Sequence, residues 1–155
     1  MPEQLTAATL RQVLARIESR GVTAARTGLI GLADAIVKQA KTNASNGRHV
    51  YGTPTPARPG EGPARISGTL RNSITRTATV KQTGSWETKV GLRPGMTPSY
   101  PGRHRSRTPA SQYGKYLETG LRNGTTYPFL KPATYLASVQ AQVAFTAAFS
   151  SVNWL

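Results

Sequence analysis

The side chains able to do chemistry are few: one Asp, five Glu, two His and no Cys in a chain of 155 residues. Asp34 falls on an expected helix, Glu87 on an expected strand and Glu118 on an expected short helix. No His-x-x-x-His, Glu-x-x-His or paired-carboxylate spacing joins them. Metal-assisted nuclease chemistry would suit a basic protein, but its carboxylate cluster is missing. Thiol nucleophiles, thiolate metal sites and disulfides are excluded with the cysteines. His49 and His104 stand beside Arg in Pro- and Gly-rich segments, surroundings that disfavour added positive charge, and both read as solvated loop histidines. The chain therefore reads as no enzyme, with no catalytic, cofactor-binding or metal-ligating residue and no cofactor.

What the composition does supply is positive charge, 20 Lys and Arg against 6 Asp and Glu, a net +14. The excess is concentrated: residues 43–110 carry eleven bases and two acids, net +9. Such a field favours phosphates or acidic protein surfaces. Its sharpest cluster is GRHRSR, and Arg93, Arg103, Arg105 and Arg107 are the candidate interaction residues. The cluster reads equally as an arginine arm gripping phosphate or carboxylate and as a solvated loop. Tyr100, Tyr113 and Tyr116 could stack on bases, but no RNA-binding aromatic pattern accompanies them.

The elements that must position these residues follow from periodicity. Between Leu5 and Lys41 there is no proline. Leu10, Leu14, Ile17, Ala25, Leu29, Leu32, Ile36 and Ala40 recur at helical steps, which predicts one long amphipathic helix with a weak point at Gly21. Residues 43–66 and 93–110 are rich in Pro and Gly and read as two long loops, the first extended and mobile. Between them the period changes to two. Ile74, Ala78 and Val80 alternate with polar residues, as do Trp86, Val90 and Leu92, predicting a hairpin turned at Thr83-Gly84-Ser85.

Ser111 is placed to cap a short helix that Gly120 ends in a left-handed conformation. Pro128 and Pro132 bracket the start of a last helix. That helix has Leu136, Val139 and Val143 on one side and Phe145, Phe149 and Val152 on another, which implies two packing partners. The expected fold class is α+β, with the long N-terminal helix and the C-terminal helix packed on a small antiparallel sheet. Residues 1–155 form a single domain, a length able to bury about 70% of its unfolded surface. With 37% hydrophobic and 7% aromatic residues the core is thin, leaving surface to be buried in an assembly. No stretch has signal-peptide or membrane-spanning length, so the chain reads as a soluble, unsecreted product with no membrane partner.

The order of the pieces carries a resemblance. A helix ending in Ala40-Lys41, then SGTLRNSI at 67–74, a hairpin, YGKYLETG at 113–120 and YPFLKPA at 127–133 resemble the gene-product-ten-like family of head-tail joining and tail-completion (neck) proteins in long-tailed bacteriophages. The likeness covers roughly residues 29–137, and its specificity lies in the order of blocks. The 43–64 segment is longer than the family's short link, and the usual Gly-Thr after the Glu is here Thr119-Gly120-Leu121.

The resemblance implies a non-enzymatic virion protein, a connector, tail-completion or tail-terminator ring with sixfold symmetry favoured. Its partners would be neighbouring connector or stopper and tail-tube proteins, with non-specific DNA contact in the channel. Its place would be the phage neck, and the host cytoplasm during assembly. The alternative is a basic nucleic-acid-binding module. Under the resemblance, YLETG and YPFLKPA form a joint between two helices, built from Arg71, Tyr113, Tyr116, Glu118, Gly120, Phe129 and Pro132. Phe129 and Leu130 would anchor the last helix to the sheet, and Glu118 is expected to pair with Arg71, with Arg122 next in line.

Overall fold

The computed structural model describes residues 7–49, 57–98 and 108–154. With no proline to interrupt it, the first segment forms one helix, α1 (Ala7–Asn43), about 55 Å long at 1.5 Å per residue. The expected weak point at Gly21 is intact helix. The Trp154 ring lies against Gly21, and the Arg20 guanidinium donates to the Asn153 carbonyl, so the C-terminal segment braces that turn.

A short helix, α2 (Thr69–Ser73), leads directly into strand β1 (Ile74–Arg76). Strands β2 (Val80–Gln82), β3 (Ser85–Glu87) and β4 (Val90–Leu92) complete one antiparallel hairpin whose ladder is broken in the middle. Ile74 pairs with Leu92 and Arg76 with Val90 at the base; Val80 pairs with Glu87 and Gln82 with Ser85 at the tip. Thr77, Ala78 and Thr79 therefore stand opposite only Thr88 and Lys89, a one-residue bulge. Threonine side chains bridge it: the Lys89 amide donates to Thr77 Oγ1 at 3.0 Å, and the Thr79 and Thr88 hydroxyls meet at 2.5 Å. The bulge reverses the alternation, so Ala78 and Val80, which a strict period of two would put on one face with buried Ile74, are exposed while Thr79 is buried. The turn is the two-residue Thr83-Gly84, both with positive φ (47° and 84°), and Ser85 already belongs to β3.

Helix α3 (Ala110–Thr119) starts one residue before the expected cap. Pro109 occupies the N-cap without a side-chain bond, so Ser111 lies inside the helix. Gly120 ends it with φ 123° and ψ 136°, a positive-φ extended conformation open essentially to glycine and not the left-handed helical one. Helix α4 (Leu130–Ser150) begins after Phe129, with Pro132 at its third position, where the proline's missing N–H is one of the turn's unused donors.

The class is α+β, but the helices do not share the sheet as a platform. The most extensive packing is α1 against α4, antiparallel, through small residues: Ala24, Gly28, Ala33 and Ala40 face Ala133, Ala137 and Ala148. At Gly28 the Phe145 ring lies so close to the α1 backbone that a Cβ would stand 2.7 Å from it. The hairpin lies along another side of α1, held by Arg76 on Asp34 (2.6 Å) and by the Arg26 guanidinium 5.1 Å from the centre of the Trp86 ring.

The core gathers at the α1 C-terminus, where Ala40, Ala44, Leu70, Ile74, Leu117, Tyr127, Phe129 and Ala133 are buried together. Phe129, fully buried, joins the start of α4 to this core, which includes Ile74 of β1 and has Leu92 of β4 packed against it. The first loop, expected extended and mobile, contributes buried Ala57 and Pro63 to this end of the molecule. Its residues 50–56 lie outside the described residues.

Candidate functional site: a helix joint and two uncovered faces

Helix α4 has no side-chain cap of its own and no acidic residue in its first turn, although its leading N–H groups have no partner within the helix. Glu118, in the last turn of α3, supplies the missing acceptor. Its Oε1 takes the amide of Phe129 at 2.7 Å, that of Leu130 at a shorter distance and that of Lys131 at 3.4 Å. A carboxylate here satisfies orphan donors and sits at the positive end of the helix dipole. Two further bonds fix the connection: Tyr127 N–H to Leu117 O at 2.7 Å and Gly120 N–H to Tyr116 O at 2.9 Å. Asn43, the last residue of α1, adds its side-chain amide to the Phe129 carbonyl at 3.0 Å, tying three helices together.

The joint expected from the sequence is present, and the expected partner is not. Glu118 forms no ion pair with Arg71 or Arg122; among the described residues the salt bridges are Arg76–Asp34 and Lys89–Glu87. The geometric reason is that the carboxylate faces backbone donors within hydrogen-bond reach. Arg71 instead lines a cavity of about 360 Å³ with Arg65, Leu70, Tyr113 and Leu117.

Of the two tyrosines, Tyr113 packs on the core while Tyr116 is exposed. Between them sits Gly114, which the sequence reading passed over: a Cβ there would meet Leu92 Cδ1 at 2.3 Å and Leu70 Cδ1 at 3.0 Å. A glycine inside an otherwise good helix was the available signal for this close approach. The Asp34–Arg76 bridge, between residues 42 positions apart, carried no local signal.

Arg93 is exposed just after β4. Arg103, Arg105, Arg107, His104 and Tyr100 lie outside the described residues. His49, expected to be solvated, is half-buried. Among the described residues no group of three His, Asp or Glu could hold a metal ion. No helix there is long and apolar enough to cross a membrane.

Among the described residues, two helical faces remain uncovered. On α1, Leu10, Val13, Leu14 and Ile17 are exposed, because the helix runs past the end of α4. On α4, Tyr135, Val139 and Val143 are exposed away from α1, and Leu136, also exposed, edges the groove between the two helices. Of the two sides expected to find partners, the Phe145 side packs on α1, and among the described residues Val139 and Val143 on the other side stay 67% and 71% exposed. Trp154 folds back to stack on Phe149, with ring centres 5.9 Å apart. Leu155 lies outside the described residues. In comparisons with known proteins, no family model, no curated protein and no solved structure matches the chain.

Proposed function

We propose that the chain is a non-enzymatic structural subunit of a tailed-bacteriophage virion, one copy of a homo-oligomeric ring in the neck. The ring completes the tail and joins the DNA-filled head to it. The reading rests on the ordered sequence blocks, and the observation that carries it is the imbalance between core and surface. The buried set is largely alanine, while large apolar side chains on two helices stay exposed, as expected of a subunit finished by its neighbours. The Glu118 joint supports it further by fixing the direction of α4 relative to α3, the rigidity a ring subunit needs.

The mechanism is mechanical. Helices α1 and α4 form the packing surfaces between copies, sixfold symmetry being favoured, and the basic 93–110 segment docks an acidic face of an adjacent connector, stopper or tail-tube protein. Removing the chain from an infection should leave filled heads and separate tails, and supplying it in trans should restore joining. Normal joined particles formed without it would overturn the proposal. A second reading, non-specific DNA binding, is favoured by the net +9 of residues 43–110. It predicts an affinity for random duplex that falls steeply with salt.

A further inference from the structure

We infer that the subunits join head to tail, the protruding N-terminal part of α1 in one copy lying on the outer face of α4 in the next. This deepens the ring reading and rests on it. The two faces match in pattern. Leu10, Val13 and Ile17 follow one another at steps of three and four, as do Leu136, Val139 and Val143, and each set covers about 10 Å of helix. Those are the spacings with which two helices interlock side chains in a coiled-coil seam.

The faces cannot cover each other within one chain. Gly21 is level with Trp154, and Ala35 and Lys38 are level with Leu136 and Gln140, so the two patches stand roughly 30 Å apart along the α1 axis. Charge selects the occupant. A chain of net +14 repels its own copies wherever basic surfaces meet, yet from Pro132 to Leu155 there is no charged residue at all. The α4 face thus brings no charge of its own to a second basic copy, Lys38 of α1 standing only at its Leu136 edge, and Arg11 and Arg16 beside the α1 stripe are exposed at the rim. The area is adequate as well. The exposed parts of those six apolar residues together with Leu14 and Tyr135, Val139 and Val143 being 67% and 71% exposed, amount to roughly 700 Å² of largely apolar surface. At the usual apolar share of such contacts this implies an interface of about 1,200 Å², above the level of lattice contacts. A contact between different patches propagates, and a closing rotation makes it a ring.

The chain has no cysteine, so single thiols can be placed at will. A Leu14→Cys chain and a Val139→Cys chain, mixed and oxidised with copper phenanthroline, should form a disulfide only between unlike chains, in the purified protein or in particles. The Leu14→Cys/Val139→Cys double variant should give a ladder of bands ending at the ring size. Disulfides formed by either single variant alone, or a double variant that stops at the dimer, would overturn the head-to-tail arrangement. Leu14→Asp or Val139→Asp should weaken association by about thirtyfold or more while leaving the helical circular dichroism intact. If sedimentation shows an assembly but the unlike-chain disulfide is absent, this interface is wrong and the ring reading stands. If the chain is monomeric in solution and dispersed singly in particles, both fall.

Discussion

Glu118→Ala removes the acceptor for three amides at the start of α4 at once. Loss of a helix cap costs about 0.5–2 kcal/mol, and loss of a negative charge at a partly buried helix N-terminus adds about 0.3–1 kcal/mol or somewhat more. The amides of Phe129 and Leu130 sit where the chain enters the core, so water replaces the carboxylate poorly, and a total near 2–3 kcal/mol is expected. For a domain of this length that lowers Tm by roughly 5–10 °C. Glu118→Gln keeps an acceptor oxygen and loses the charge, so about half the loss is expected. Urea unfolding followed by far-UV circular dichroism measures both. Because Glu118 meets backbone and not Arg71, Arg71→Ala should be nearly silent, and the Arg71→Ala/Glu118→Ala double variant should be additive within about 0.5 kcal/mol. A Glu118→Ala loss below about 0.5 kcal/mol, or a strong coupling to Arg71, would refute the capping geometry.

Gly114→Ala should destabilise by about 1–3 kcal/mol in the same urea assay despite alanine's better helix propensity, because the new methyl enters the space of Leu92 and Leu70; a neutral or stabilising result would place α3 farther from the hairpin. Asp34→Ala should cost no more than about 1 kcal/mol, and less in high salt, since the Asp34 side chain is 57% exposed; a larger loss would mean the bridge is shielded from water. Replacing Arg103, Arg105 and Arg107 by Ala should block joining of heads and tails while barely changing duplex affinity in a salt titration; loss of DNA binding with joining intact would favour the nucleic-acid reading.

Several elements were legible because their cause is local. The absence of proline from 5 to 41 sufficed for α1, the change of period for the hairpin, and the Pro-Phe-Leu-x-Pro run for the start of α4. The joint was legible as a joint, since a helix end followed closely by a helix start leaves donors to satisfy. Its partner was misassigned because pairing opposite charges by sequence block overlooks backbone amides, which carry no letter in the sequence. The bulge opposite Thr88 was hidden for a related reason. Alternation specifies the face of each strand but not the residue count between two ladders, so a strict period of two groups Val80 with Ile74, whereas Ile74 is buried and Val80 exposed. The packing of α4 on α1 was obscured by alanine and glycine, whose contact surface is backbone and Cβ and adds little to a hydrophobic pattern.

The central claim, a neck ring built from this chain, is tested most directly by electron microscopy of whole particles bearing a gold label on it. Label should be confined to the junction of head and tail, in a symmetric closed set of copies at one axial level. Label dispersed singly over the particle, or found only with DNA inside the head, would contradict it.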